Sequence, residues 1–347
     1  MRQEQWELFK TVAKGGKAAR PPVALIIDSP WLPPYMGVKH LDYYFDRDTW
    51  FATNRKMMEE FPEMIVFPSW WMEYGMAIEP SALGSKIRFY VDQTPNEVPT
   101  LLRLEDVESF PPVNPSTDGL MPVALHNLCL QKTRIRAAGY DVRVATARGP
   151  LCIAGFLRGI TELMMDIVDN PPGVHKLLAY VTDAIVKWLQ AQAEAADGSI
   201  EGVFILDDVI GMLSRAHYQE FAHPYLKRIF TAFPENWVKV YHNDANTQPF
   251  AEDLPDAGMD VLNWTYRFDL AEARRRTGGK ITLMGNVAPL ELGVRGTPQQ
   301  VKEAGLALLR QAGDSRFILS LGGGVSPGTP KANIMALLEA AREFSGA

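Results

Sequence analysis

Cysteine is scarce in this chain of 347 residues, and long apolar runs and basic clusters are missing. Cys129 and Cys152 occur in no disulfide, metal or redox spacing, which excludes a disulfide-stabilised scaffold and favours a reduced, cytoplasmic setting. No run approaches the ~18 apolar residues of a membrane span, and the amphipathic start MRQEQWELFKTVAKGGK lacks the apolar segment of a signal peptide. A net charge of −6 without a basic cluster disfavours nucleic-acid binding. We therefore expect neither a membrane nor a nucleic acid among the partners.

Eight short apolar runs are present instead, and they are rich in β-branched residues. They are continuous, which is typical of strands covered on both faces, and they lie at 23–27, 64–67, 142–147, 202–206, 237–241, 259–263, 281–284 and 317–321. Helical patterns separate most of them, and no glycine fingerprint follows the first run. The alternation predicts an α/β fold, a single (β/α)8 TIM barrel domain over 1–347. Residues 68–115 break the rhythm and predict a loop and hairpin insertion over the barrel mouth.

Polar residues stand directly after several of these runs. Asp28 follows VALII, Asp207 and Asp208 follow VFIL, His242 follows VKVY, and Asn286 follows ITLMG. A β/α barrel delivers the carboxyl end of every strand to one rim, where its chemistry is found. The spacing therefore predicts that these side chains meet at one site.

His242 is the only histidine directly after a predicted strand. We expect it to act as a general acid or a metal ligand, the alternative being a hydrogen-bonded rim residue, and Asp244 would orient the imidazole or share the metal. Successive residues leave a strand in different directions, so only one of the two aspartates at 207 and 208 need face the site. Asp207 is expected to be catalytic. Asp208 and Asp28 would contact substrate, cap a helix or turn, or form a loop ion pair.

The remaining candidates are expected to contact substrate. Aromatic residues after the first two runs offer a stacking surface for a flat or cationic group, namely Trp31, Trp70, Trp71 and Tyr74. Glu73, in the same segment, would carry a proton, bind a cation or simply be solvated. Asn263 and Asn286 are candidate hydrogen-bond donors, and Arg148 would pair with a carboxylate. The run Gly322–Gly324 would let backbone approach a substrate or cofactor closely.

Four segments resemble the uroporphyrinogen decarboxylase superfamily: GPLCIAGFLRG, LDDVIGMLSRAHYQEFAHPYLKRIF, DAGMDVLNWTYRFDLAEARRRTGGKITLMGNVAPLEL and LGGGVSPGTPKANI. The resemblance covers about residues 20 to 340, and the last two segments are the most specific. It implies a single β/α barrel, in agreement with the strand count. It also implies one of two chemistries, porphyrinogen decarboxylation or methyl transfer with a separate corrinoid (cobalamin) protein.

The decarboxylase pattern is missing at its key positions. The resemblance implies an arginine-rich segment after the first strand, where this chain has DSPWLPPYMG. The family's aspartate falls on Gly75, its active-site tyrosine on Phe156 and its C-terminal histidine on Gly323. A polycarboxylate substrate needs cationic partners, because burial of unpaired charge is very costly. Phe156 and Gly323 remain candidate substrate contacts.

The methyltransferase pattern is retained in part. Thiol-methylating members hold zinc through a His-x-Cys pair and a later cysteine. Here His242 is present, while Asp244 and Gly323 occupy the two cysteine positions. Cysteine-rich zinc sites suit thiol activation, so a thiol substrate is not expected. The His-x-Asp form, with Asp207-Asp208-x-x-Gly, resembles members that take methyl groups from substrates such as aryl methyl ethers.

The sequence thus predicts a corrinoid-dependent methyltransferase that moves a methyl group from a small donor, an aryl methyl ether, to Co(I) of a partner corrinoid protein. Zinc held by His242 and Asp244 is an optional cofactor. Three alternatives stay open: a decarboxylase of a uroporphyrinogen-like or other small carboxylated substrate, transfer from methyl-corrinoid to a non-thiol acceptor, and a non-catalytic ligand-binding barrel.

Overall fold

The computed structural model describes residues 1–313 and 316–346. Ten strands lie within these ranges: β1 Ala24–Ile26, β2 Ile65–Phe67, β3 Lys86–Arg88, β4 Asn96–Val98, β5 Val144–Arg148, β6 Gly202–Leu206, β7 Val238–Asn243, β8 Val261–Trp264, β9 Thr282–Val287 and β10 Phe317–Leu321. Eight of them, all but β3 and β4, coincide with the eight predicted runs. The prediction of eight barrel strands is therefore confirmed.

These eight strands run parallel around one axis. Six form a sheet in the order β10-β9-β8-β7-β6-β5, and β1 pairs with β2. A parallel bridge between Val23 and Leu319 brings β1 beside β10, and the Leu319 N–H donates to the Pro22 carbonyl (2.9 Å). Between β2 and β5 the described residues show no ladder, and Trp70 contacts Tyr140 nearby (ring centroids 5.7 Å). The order around the axis is that of the predicted (β/α)8 TIM barrel.

The interior of the barrel is apolar toward its amino-terminal end. Alternate strand residues point inward and form one buried cluster, which includes Ala24, Ile26, Ile65, Phe67, Val144, Phe204, Leu206, Val238, Val240, Val261, Met284 and Ile318. The amino-terminal helix adds Trp6, Phe9 and Val12 to this cluster. Thr282 Oγ1 donates to the carbonyls of Val12 and Ala13 (2.9 and 3.1 Å), which fixes that helix across the base. Polar chemistry is thereby left to the other end, the mouth.

Fourteen α-helices within the described ranges surround the strands and supply the loops of the mouth. They are α1 Gln3–Ala13, α2 Leu32–Tyr35, α3 His40–Phe45, α4 Arg47–Glu60, α5 Ile78–Ala82, α6 Met121–Ala137, α7 Pro150–Arg158, α8 Ile160–Asp169, α9 Pro171–Ala195, α10 Arg215–Phe221, α11 His223–Thr231, α12 Leu270–Arg276, α13 Pro298–Ala312 and α14 Lys331–Phe344. Helix α13 begins with a capping box at Thr297 and has proline at its first helical position. No helix among the described residues is long and apolar enough to cross a membrane.

The segment 68–115 is an excursion from the β/α rhythm, as predicted. It holds the antiparallel pair β3–β4 and helix α5. Glu79 on α5 accepts a hydrogen bond from the backbone N–H of Arg148 (2.8 Å), at the carboxyl end of β5. This buried contact joins the insertion to the rim of the barrel.

Candidate functional site

The strand register places several polar residues at one level inside the barrel. Cross-strand partners run in the sequence Arg148, Leu206, His242, Asn263 and Met284. Leu206 and Met284 belong to the interior cluster, so their partners in the register also face inward. The inner wall therefore changes from apolar to polar at the mouth.

Three groups converge at the ends of β6 and β7. Ligand atoms of Asp208, His242 and Asp244 all lie within 4.8 Å of one another. His242 Nε2 is 3.5 Å from Asp208 Oδ1, and the Asp244 N–H donates to that same oxygen (3.0 Å). The imidazole is buried, at 6% exposure, while the Asp208 side chain retains 41% of its accessible area. The two aspartates thus reach the imidazole from the side that faces solvent.

Asn263 fixes the orientation and tautomer of the imidazole. Its Nδ2 donates to the carbonyls of Met284 (2.7 Å) and Leu321 (3.0 Å), so its Oδ1 must be the acceptor that faces His242. Oδ1 lies 2.7 Å from His242 Nδ1, which therefore carries the proton. The lone pair of Nε2 is left pointing toward the two aspartates.

This donor set fits a divalent cation. An imidazole held through its other nitrogen by an oriented acceptor is the usual second-sphere arrangement of a metal ligand. One nitrogen and two carboxylates suit zinc and leave a coordination position open. Asp244 keeps contact with solvent, yet partial burial raises the pKa of its carboxyl. The charge of Asp208 adds to this rise, and His242 opposes it. A bound cation would relieve this repulsion between carboxylates.

An open cavity of about 640 Å³ lies beside Asp244. It is bounded by the loops after β7, β8, β9 and β10, with the wall residues Ala245, Asn246, Gln248, Thr265, Tyr266, Arg267, Pro289, Leu290, Glu291, Gly322, Gly324 and Ser326. Tyr266 Oη donates to Glu291 Oε1 (2.7 Å) and accepts from Arg267 Nε (3.2 Å). The cavity is large enough for a small aromatic molecule next to the aspartate.

A second group of ionisable residues gathers around β1 and β5. Ser29 Oγ donates to Glu73 Oε2 and accepts from Tyr44 Oη, each at 2.7 Å. Burial raises the pKa of Asp28 to about 6, against the opposing charges of Arg148 and His242. Burial and the neighbouring Asp28 raise the pKa of Glu73 well above its ordinary value. Burial on this side of the mouth therefore shifts both carboxyls toward their neutral forms.

Arg148 lies between this group and the insertion. Its guanidinium is 5.3 Å from the ring centroid of Trp71, and Nη2 makes a long contact of 3.5 Å to the Gly75 carbonyl. The residue is buried, and Nε has no hydrogen-bond partner among the described residues. Burial raises the pKa of Glu79 to about 7, although its carboxylate accepts the Arg148 N–H.

Asp207, expected to be catalytic, is placed elsewhere. Its side chain is on the opposite face of the chain from Leu206 and accepts the backbone N–H groups of Leu151 (3.0 Å) and Cys152 (2.8 Å). These are the first free donors of α7, so Asp207 anchors a helix start from a neighbouring strand. A Cβ on Gly149 would lie 2.4 Å from the Asp207 carboxylate, which explains the glycine. Of the two neighbouring aspartates, Asp208 is the one whose carboxylate lies beside His242 at the mouth.

Several other expected substrate contacts are packing residues or orienting groups. Trp31 is buried, stacks on Tyr35 (4.1 Å) and donates to the Thr329 carbonyl, and Trp70 is buried against Phe51. The hydroxyl of the buried Tyr74 accepts a hydrogen bond from Asn127 (2.9 Å).

Two further candidates, Phe156 and Asn286, lie outside the cluster. Phe156 is half-buried on α7. Asn286 donates to the carbonyls of Thr265 and Phe268 (3.2 and 3.0 Å), so its amide shapes the loop after β8.

The structure brings together Asp28, Glu73, Trp71, Arg148, Asp208, His242, Asn263 and Asp244, with Gly323 against Asp244. Sequence reasoning missed Ser29, Tyr44 and Glu79. Ser29 stands directly after Asp28, which was a usable signal. Tyr44 and Glu79 lie in helices without periodic or motif signals, and only the fold brings them to the mouth.

The fold and the site define a β/α-barrel protein with an acidic, histidine-containing mouth. A family model described as Uroporphyrinogen decarboxylase (URO-D) matches residues 4–344, and the chain belongs to this family. The resemblance inferred from the sequence segments is thereby confirmed.

Among curated relatives, a uroporphyrinogen decarboxylase of Chlorobaculum tepidum is 27% identical over 276 residues, 76% of each chain. One of Chlorobaculum parvum is 33% identical over 184 residues, 51% of this chain and 50% of its own, so that alignment spans only half of the relative. Among solved structures, a methyltransferase from Methanosarcina mazei superposes with a TM-score of 0.84 over 98% of each chain at 21% identity. At that identity the likeness shows a shared fold.

Proposed function

We propose that the protein is a methyltransferase that moves a methyl group from an aryl methyl ether to the Co(I) centre of a partner corrinoid protein. The observation that carries the proposal is the cluster of Asp208, His242 and Asp244, which borders an open cavity. The cluster contains no serine or cysteine nucleophile, as expected where the nucleophile is brought by the partner. The name and matching fold of the Methanosarcina mazei protein support methyl transfer as the function.

The charges at the mouth favour methyl transfer over decarboxylation of a polycarboxylate. Asp208 and Asp244 lie at the mouth beside His242, Asp28 follows β1 at the same rim, and Arg148 is a buried cation of the inner wall. A substrate with many carboxylates would meet more negative than positive charge here. A neutral ether has no such conflict and fits the cavity.

The chain's own residues would bind and position the donor. The two aspartates and Nε2 of His242 would hold a divalent cation such as zinc, which when bound draws electron density from an ether oxygen. Asn263 keeps the imidazole in the tautomer that leaves Nε2 free. The cavity wall at Tyr266 offers an aromatic face for the ring of the donor. The partner would approach through the same open mouth.

The test is methylation of chemically reduced cobalamin by the purified protein, followed by its absorbance change. The donor panel contains methoxylated arenes, methylamines, betaines and methyl thiols, each with and without equimolar zinc. We expect methylcobalamin and the matching phenol from methoxylated arenes, and nearly complete loss of transfer in His242→Ala. His126→Ala, on the exposed face of α6, is the matched control and should keep wild-type rates.

Three outcomes would overturn the proposal. If no donor methylates either free cobalamin or candidate corrinoid proteins, while carboxylated substrates release CO2, the protein is a decarboxylase. Ligand binding without turnover, unaffected by His242→Ala, would indicate a non-catalytic barrel. Formation of a methylated product from methylcobalamin alone would reverse the direction of transfer.

A further inference from the structure

Arg267 is the one cation in the described wall of the cavity beside Asp244. It lies in the loop between β8 and α12, and its side chain is exposed. The wall also contains two acids, Asp244 and Glu291, but neither forms an ion pair with the guanidinium in the described part of the chain. An arginine that borders a cavity without a carboxylate partner is available to an anionic group of a bound molecule.

The guanidinium is held from one side only. Its Nε donates to Tyr266 Oη (3.2 Å), and its central carbon lies 5.6 Å from the centroid of the Tyr266 ring. Tyr266 Oη in turn donates to Glu291 Oε1 (2.7 Å), which fixes the phenol. No hydrogen bond within the described residues uses Nη1 or Nη2 of Arg267. The end of the guanidinium therefore keeps the paired donors that bind a carboxylate through two parallel hydrogen bonds.

The loop that carries Arg267 is fixed on both sides of this residue. Asn286 Nδ2 donates to the carbonyls of Thr265 (3.2 Å) and Phe268 (3.0 Å). Two longer contacts of 3.4 Å involve Arg267 itself, whose N–H donates to Thr265 Oγ1 and whose carbonyl accepts from Gln248 Nε2. Gln248 comes from the loop after β7, so these contacts join two neighbouring loops of the cavity wall. The backbone that presents the guanidinium is therefore preorganised.

Apolar residues stand beside the cation in the same wall. Pro289 and Leu290 follow β9 and border the cavity together with the ring of Tyr266. Leu290 is 50% exposed, so its side chain offers apolar surface to a bound molecule. A ligand that matches this wall has a flat apolar body and one negatively charged substituent.

We propose that the methyl donor is a methoxylated aromatic carboxylic acid and that Arg267 selects it by binding its carboxylate. This inference rests on the proposed methyl transfer and names the substrate class of the same site. The ring of the donor would pack against Tyr266 and Leu290, with its methoxy group toward Asp244. A single carboxylate meets one matching cation here, whereas a polycarboxylate would also meet the acids of the mouth.

The experiment measures binding without turnover, by calorimetric titration with the three isomers of methoxybenzoate and their methyl esters. Each ester keeps the ring and the methoxy group but carries no charge. The wild type should bind its best acid about 10-fold or more tightly than the matching ester, as expected of charge-assisted hydrogen bonds. This preference should disappear in Arg267→Gln and shrink in Tyr266→Phe, which removes the acceptor for Nε. Arg275→Gln, an exposed arginine of α12 outside the cavity wall, is the matched control.

The carboxylate site would be overturned if the wild type bound acids no better than esters, or if folded Arg267→Gln kept the preference. An equal loss in Arg275→Gln would show only general attraction to positive charge, and a preference that requires added zinc would place the carboxylate on the metal. If acids bind through Arg267 but no methyl group reaches cobalamin, the proposed function fails and the carboxylate site stands. If methyl transfer proceeds with equal kcat/KM for acids and esters, the proposed function stands and this inference fails.

Discussion

Replacement of Asp207 by alanine tests whether this residue serves stability or chemistry. Its carboxylate accepts the N–H groups of Leu151 and Cys152 at 3.0 and 2.8 Å, and all three residues are buried. Removal of the acceptor leaves two buried donors without partners, at a cost of about 1–3 kcal/mol each. We therefore expect Asp207→Ala to lower the free energy of unfolding by about 2–6 kcal/mol. This is a large share of the stability of a typical domain.

The measurement is urea unfolding followed by circular dichroism and tryptophan fluorescence, with linear extrapolation. Asp207→Asn keeps one acceptor oxygen and should lose roughly half as much, about 1–3 kcal/mol. Asp208→Asn is the matched control, because its partly exposed side chain holds no helix start and should change stability by less than about 1 kcal/mol. Zinc affinity should show the opposite order, falling in Asp208→Asn and holding in folded Asp207→Ala. An Asp207→Ala protein of wild-type stability that has lost methyl transfer would refute this reasoning.

Four further changes test the site and the buried contact of the insertion with the barrel rim. His242→Ala should abolish stoichiometric zinc binding in equilibrium dialysis, and retention of one zinc per chain would place the metal elsewhere. Asn263→Leu leaves the three ligands in place but frees the imidazole, so zinc affinity should fall about 10–100-fold by calorimetric titration, and an unchanged affinity would contradict the orienting role. Gly323 has φ +145°, and a Cβ at this position would lie 2.6 Å from Asp244 Oδ2. Gly323→Ala should therefore displace that carboxylate and weaken zinc binding, and a zinc titration curve identical to that of the wild type would disprove this. Because the pKa of Glu79 is raised to about 7, its contribution to stability is complete below about pH 4.5 and is lost as the pH rises through 7. The free energy of unfolding should therefore fall more between pH 6 and 8 in the wild type than in Glu79→Gln. Parallel pH profiles of the two proteins would argue against this contribution.

The fold could be predicted from the sequence because strands that are covered on both faces have continuous apolar sequences. The strand ends were harder to place. β7 extends to Asn243 and β9 to Val287, beyond the predicted 237–241 and 281–284. The added residues include glycine and asparagine, which are unusual in strands, yet the neighbouring strands keep them in the ladder. Pairing across the sheet, which one segment does not reveal, decided these boundaries.

The sequence could predict which residues lie at the barrel mouth, but not which way their side chains point. His242, Asp244 and Asp28 meet at the mouth as expected of residues after barrel strands. The choice between Asp207 and Asp208 needed the register, which turns Leu206 inward and Asp207 toward α7. The buried tryptophans illustrate the same point, because a position in a loop does not reveal whether a side chain contacts substrate or packs against the protein core.

Burial divides the carboxyls of the mouth into two kinds that do different work. On the β6–β7 side Asp208 and Asp244 lie beside the imidazole of His242, an arrangement of ligand atoms that suits the binding of a cation. On the β1 side Asp28 and Glu73 lie where burial favours the neutral acid. Methyl transfer from an ether needs a leaving oxygen that is either metal-bound or protonated, and the proposed cation site at His242 would meet that need.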